Sequence, residues 1–282
     1  MSDDAIDFKL YRYDPFMAAA VIFIILFLVI TAIHFYQLIR TRAWFFIPFI
    51  IGGFFQVIGY IGRAKSSAES PNWTVPTYSL QTILLLVAPA LYAASIYMIL
   101  GRIILLTDGE VHSIIKKKWL TKIFVMGDVV SFLMQGAGGG IMATGTLSAL
   151  KTGENIIIGG LVVQLLFFGC FMVTSAIFHI RMHKMPTTAV LAQPLPWERH
   201  LYTLYGASLL ILVRSVFRLI EYAQGNAGYL ITHEVFLYVF DSTLMLATMM
   251  LLAWVHPSEI SALSKSGRGK AVRHVISVYS LR

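Results

Sequence analysis

The stretch Leu201–His256, LYTLYGASLLILVRSVFRLIEYAQGNAGYLITHEVFLYVFDSTLMLATMMLLAWVH, decides the fold. It reads as two apolar helices, Leu201–Tyr222 and Glu234–Val255, joined by a short polar loop. Each is close to the ~20 residues that an α-helix needs to cross a bilayer. Both carry more charge than such helices usually tolerate. Arg214, Arg218 and Glu221 fall at i, i+4 and i+7, on one face of the first helix. Glu234, Tyr238 and Asp241 repeat that spacing on the second. A charge at bilayer depth costs about 2.5–3.5 kcal/mol on insertion scales. These ionisable groups must therefore turn inward and find partners, as a clasp that sets helix packing or as a functional site. The expected pairs are Arg214 with Asp241, and Arg218 with Glu221 or Glu234.

The rest of the chain has the same character. Of its 282 residues 57% are hydrophobic and 13% charged, where a soluble domain carries about 25% charge. Mean hydropathy is +0.75. Further spans are expected at Pro15–Ile39, Trp44–Gly62, Thr77–Leu106, Lys122–Leu150 and Ile156–Ile180, the third and fourth long enough to tilt, with a kink at Pro89. The expectation is an all-α bundle of seven transmembrane helices: a short N-tail (1–14), a membrane domain (15–256) and a basic tail (257–282). The acidic N-tail lacks the basic start of a cleaved signal, so the first helix should serve as an uncleaved anchor.

Basic residues are unevenly shared between the two sides. Arg40, Arg42, Arg102, Lys116–Lys118, Lys122, Arg181, Lys184, Arg199 and the tail fall on one side; Lys9, Arg12, Arg63, Lys65 and Lys151 fall on the other. The bias puts the N-terminus outside and the C-terminus in the cytosol. The sequon Asn72-Trp73-Thr74 then lies in an outer loop, a weak glycosylation candidate close to the membrane. The net charge of +8 sits in loops and tail, which argues against nucleic-acid binding. Those residues set topology and suit anionic inner-leaflet lipids, at about 1 kcal/mol per basic residue. The single cysteine, Cys170, excludes an intrachain disulfide.

Polar residues mark the other spans too. Gly52, Gln56, Gly59 and Arg63 form a stripe on the second; Gln81, Tyr92 and Tyr97 lie on the third. Asp128, Ser131 and Gln135 lie on the fourth, before Gly136 and Gly138–Gly140, and Gln164 lies on the fifth. Placed by the topology, most of these groups gather in the outer half of the bilayer, where a polar cavity is expected. Carboxylates, an arginine and aromatic walls suit an amphiphile with a cationic or polar head, such as a long-chain base, and equally a protonation-driven exporter. The candidate substrate-binding set is Gln56, Arg63, Gln81, Tyr92, Asp128, Gln135, Gln164, Arg214, Arg218, Glu221, Glu234, Tyr238 and Asp241. The Gly-rich run has no Gly-Lys-Ser/Thr and reads as helix packing or a local break. His179, His183, His233, His256 and His34 are scattered between both sides, unlike a zinc site whose ligands converge. No metal or cofactor is expected.

These residues carry a resemblance. The pattern Gln56-Val-Ile-Gly59-Tyr60-Ile-Gly62-Arg63, then Tyr78, Gln81, Ala88-Pro89, Ala94, Tyr97 and Gly101-Arg102, resembles the fungal RTA-like family of lipid-translocating exporters. So do Asp128, Ser131, Gln135-Gly136-Ala137-Gly138 and Gln164, and most strongly Arg214-Ser-Val-Phe217-Arg218, Glu221-Tyr222, Gly225, Gly228, Glu234, Tyr238, Asp241 and His256-Pro257. The resemblance covers about residues 15–257. It implies seven spans, no enzymatic activity, a fungal plasma membrane location, and a role in sphingoid-base release, resistance to toxic amphiphiles or porphyrin traffic. A seven-helix sensor that regulates membrane composition or permease turnover without transporting is the alternative. The third span ends in Gly101-Arg102 rather than Asp-Arg-Tyr, and the last lacks both Asn-Pro-x-x-Tyr and the lysine of retinal-binding opsins. A membrane hydrolase is disfavoured by the scattered histidines.

Overall fold

The computed structural model describes residues 13–142, 146–192, 196–225 and 228–264. The basic tail residues, Lys9 and Arg12 lie outside the described residues.

Helices account for nearly every described residue. They are α1 (Met17–Thr41), α2 (Ile47–Ala68), α3 (Val75–Leu106), α4 (Lys117–Met142), α5 (Leu147–Lys184) and α6 (Trp197–Ala223). The seventh span, α7, is built from Glu234–Leu237, a π-helical turn Tyr238–Ser242, and Thr243–Trp254. A short α8 (Ser258–Ser264) follows. Pro48 and Pro76 stand in the first turns of α2 and α3, where their missing N–H costs no helical bond. Seven helices are long and apolar enough to cross a membrane, and the protein is an integral membrane protein.

Each helix packs on its neighbour in sequence, and α7 returns against α1 to close the ring. α3 lies inside, in contact with α2, α4, α6 and α8. Its stretch Tyr92–Tyr97 is buried throughout. α1 is the opposite case: Val21, Ile22, Ile25, Leu28 and Val29 are exposed, an apolar face that fits lipid rather than water.

The largest departures from the expected boundaries fall in the fourth and fifth spans. Leu147–Leu150, expected to end the fourth span, form the first turn of α5. Thr146 caps that turn, its hydroxyl accepting from the Ala149 N–H at 3.2 Å. The fifth helix, not the third or fourth, is the longest. Its 38 residues reach about 57 Å, well beyond a ~30 Å hydrocarbon core. α3 runs on as one helix through Pro89.

Glycines set the tightest helix contacts. On α2, a Cβ at Gly52 would stand 2.7 Å from the Tyr92 ring, and one at Gly59 would stand 2.7 Å from Leu85, so both face α3. The stripe expected on α2 is thus split, because Arg63 faces α7 instead. On α4 the glycine run continues the helix, and its members differ. A Cβ at Gly138 would meet the Gly153 carbonyl of α5 at 2.6 Å, while Gly136, Gly139 and Gly140 have nothing within 4 Å. Gly138→Ala is therefore expected to destabilise the purified protein by about 1–3 kcal/mol, since a backbone atom must move. Gly139→Ala should be neutral or slightly stabilising, through helix propensity. Paired thermal unfolding curves in detergent check this, and equal melting temperatures for the two variants would count against the close α4–α5 approach.

Candidate functional site

The polar interior begins with a backbone defect. Pro89 has no N–H, so the Leu85 carbonyl one turn earlier lacks its helical donor. Arg214 of α6 supplies one, its Nη2 donating to that carbonyl at 3.2 Å. The same guanidinium holds Asp241 of α7, with Nε donating to Oδ1 and Nη2 donating to Oδ2 at 3.4 Å. Both side chains are buried. One arginine therefore ties α3, α6 and α7 together.

Asp241 and Ser242 lie in the π-helical turn. Such turns are rare inside α-helices and recur at functional sites. Here the turn is supported by hydroxyls: Thr243 Oγ1 donates to the Tyr238 carbonyl at 2.8 Å, and Ser242 Oγ to that of Leu237 at 3.4 Å. Tyr60 of α2 hydrogen-bonds Ser242, which fixes the turn against a fourth helix.

A second cluster forms around Arg63, which is 1% exposed. Its Nη2 donates to Glu234 Oε1 at 2.7 Å and to the Tyr13 hydroxyl at 2.7 Å, and its Nε donates to the Tyr238 hydroxyl at 3.1 Å. The guanidinium also stands over both tyrosine rings, 5.5 and 5.4 Å from their centroids. Glu234 in turn accepts the Phe16 N–H at 2.9 Å, and Ser67 donates to the Pro15 carbonyl at 2.5 Å. The chain before α1 is thereby strapped over one end of α2 and α7. Burial holds the Tyr13 phenol above its ordinary range, although Arg63 pulls in the other direction.

The remaining candidates fall elsewhere. Arg218 pairs with Glu221 at 2.5 Å on its own helix and donates to the Tyr222 hydroxyl at 3.3 Å. Gln135 of α4 donates to Ser131 at 2.7 Å and to Gln164 of α5 at 3.3 Å, and Ser131 donates to the Gly160 carbonyl at 2.7 Å. Tyr92 donates to Met249 Sδ at 3.1 Å, Gln56 is buried with its Nε2 lacking a partner, and Gln81 is buried against Gly62. Asp128 is buried on α4, the helix that packs against α3 and α5. Asn72 is exposed after α2.

The structure thus distributes the candidates over several clusters rather than around one shared wall. Arg214–Asp241 and Arg218–Glu221 pair as their spacing suggested. Glu234 does not serve Arg218; Arg63 takes it. Tyr13, Ser242 and the Leu85 carbonyl had not been singled out, and of these only Leu85 carried a signal, the proline four residues on; Tyr60 had been named only within the resemblance pattern. Among the described residues no three His, Cys, Asp or Glu side chains converge on a metal position.

Comparison with known proteins now bears on this interior. The family model described as RTA1 like protein matches residues 49–263. The chain belongs to the RTA1-like family. Protein RTM1 of Saccharomyces cerevisiae is 36% identical, over 87% of this chain and 91% of the relative. Protoporphyrin uptake protein 1 of the same species is also 36% identical, over 89% and 92%. Sphingoid long-chain base transporter RSB1 of that species is 27% identical, over 83% and 69%. No solved structure matches. The matched span runs from α2 to α8 and so contains every residue of the α3–α6–α7 tie in this RTA1-like protein.

Arg214→Leu should cost the protein about 3–5 kcal/mol, because it strands a buried carboxylate. In a Pro89→Ala background the penalty should shrink by about 1–3 kcal/mol, since the alanine brings a backbone N–H to the Leu85 carbonyl. A double-mutant cycle in detergent measures the coupling; strict additivity would mean that the carbonyl contact carries no energy.

Proposed function

We propose that this RTA1-like protein moves amphipathic lipids, such as sphingoid long-chain bases, across the membrane, and so contributes to resistance to toxic amphiphiles. The observation that carries the reading is the buried ion pair Arg214–Asp241, with the partly buried pairs Arg63–Glu234 and Arg218–Glu221, inside a bundle of seven spans. Ionisable groups at bilayer depth are expensive and mark substrate or ion routes. Each pair can exchange partners: an ammonium head can take a carboxylate from its arginine, while the tail stays among apolar helices. The relative named as a sphingoid long-chain base transporter supports this choice of substrate class.

In this reading the N-terminus is outside, the C-terminus is cytosolic, and the membrane is the plasma membrane. Lys116, Lys118 and Trp119 are exposed at the start of α4, a composition suited to the headgroup region over anionic lipids. The chain performs no covalent chemistry on its substrate.

Protein reconstituted in liposomes tests the reading. A fluorescent long-chain base should cross at least tenfold faster than in protein-free vesicles, and Asp241→Asn should remove most of that gain. Saturable binding without any flux would instead make the protein a sensor of membrane composition.

A further inference from the structure

Asp128 differs from every carboxylate described so far. It sits on α4 at 4% exposure, yet neither carboxylate oxygen has a hydrogen-bond partner. α4 packs against α3 and α5. From α3 the Tyr97 hydroxyl lies against the carboxylate, without a hydrogen bond of ordinary geometry and with no partner of its own. The Tyr97 ring lies in turn against Phe124 of α4 and against Phe168 and Phe171 of α5, with centroids 5.4, 6.1 and 4.6 Å away. No lysine, arginine, histidine or second carboxylate faces Asp128 from either helix among the described residues. The nearest polar group along α4, Ser131, is already engaged with Gly160 and Gln135.

An ionised carboxylate enclosed in this way, with no cation and only the Tyr97 hydroxyl beside it as a donor, is poorly compensated for its lost hydration. A positive partner therefore stabilises it strongly. Two chemistries can supply one here: a proton, or the ammonium head of an amphiphile. We propose that Asp128 is an exchange site at which a proton and the substrate's ammonium group alternate. When the ammonium arrives, the carboxylic acid releases its proton to water and the carboxylate forms an ion pair with the head group. When the head group leaves, the carboxylate takes a proton back from water. One proton moves one way for each monovalent cation moved the other, so the exchange is electroneutral. Because the empty, ionised state is disfavoured, exchange is favoured over movement of either ion alone. This rests on the transport reading above and adds its coupling ion and its site.

The test uses the full chain in liposomes and a fluorescent long-chain amphiphile with a quaternary ammonium head, which cannot cross as a neutral amine. With a pH difference of one unit imposed, wild-type protein should accumulate the probe toward about tenfold, the equilibrium ratio for one-to-one exchange. A potassium-diffusion potential of either sign should leave that ratio unchanged. Asp128→Asn, checked for an unchanged melting temperature, should lose the accumulation, and Asp128→Glu should retain part of it. In infrared spectra, alkaline titration should remove a protonated-carboxyl C=O band from wild type that Asp128→Asn lacks from the outset. Accumulation by Asp128→Asn equal to wild type overturns the proposal, as does wild-type flux that ignores the pH difference; in both cases the transport reading survives. Absence of all flux in wild type overturns the transport reading and, with it, the exchange, while the infrared band then reports only whether Asp128 binds a proton.

Discussion

The Leu85 carbonyl is the point on which the interior turns. A proline inside a helix costs about 3 kcal/mol or more, largely through one lost hydrogen bond and a ring clash. In water the freed carbonyl would be solvated; inside a lipid-facing bundle it needs a protein donor. Arg214 meets that need at 3.2 Å and still has donors to spare. Its charge then requires a counter-ion, which Asp241 provides, and Asp241 is presented from a π-helical turn. A buried ion pair is by itself weak evidence of stability, because desolvation offsets the attraction. Here the pair has a structural reason that precedes it: a hole in the hydrogen bonding of the central helix.

Much of this was open to reading from the chain, and the limits have physical causes. Seven spans follow from apolar run length, because the bilayer sets a minimum that composition alone can satisfy. The Arg214–Asp241 and Arg218–Glu221 pairs follow from charge on adjacent helices and from i, i+3 spacing. Arg63–Glu234 does not follow, because 171 residues separate its partners and several arginines compete for each acid. The π turn left no trace, since no glycine or proline marks Tyr238–Ser242; its supports are ordinary serine and threonine hydroxyls. The α4–α5 boundary was misplaced because apolar residues continue past Met142, and Thr146 acts as a cap only through its geometry. The glycines of α2 and α4 looked alike in sequence, yet only some face a neighbour, a distinction that needs the rotation of each helix.

The N-terminal segment belongs to the same logic. Tyr13 and the Phe16 N–H complete the coordination of Arg63 and Glu234, so this ion pair is closed over by chain from outside the bundle. Three acids of α6 and α7 therefore sit with arginines, each pair further satisfied by tyrosine or backbone donors and acceptors. That degree of satisfaction is what makes buried charge tolerable.

α3 joins these compensated pairs to an uncompensated acid. Its Leu85 and Tyr92 lie on the arginine side, and Tyr97 lies against Asp128. Pro89 stands between Leu85 and Tyr97, where α3 can bend at least cost, since no backbone bond to residue 85 has to break. What resists bending there is the grip of Arg214 on the Leu85 carbonyl, and that grip weakens if Asp241 gives up its arginine for another cation. One helix thus touches both the Arg214–Asp241 pair and Asp128, with its missing N–H between the two contacts.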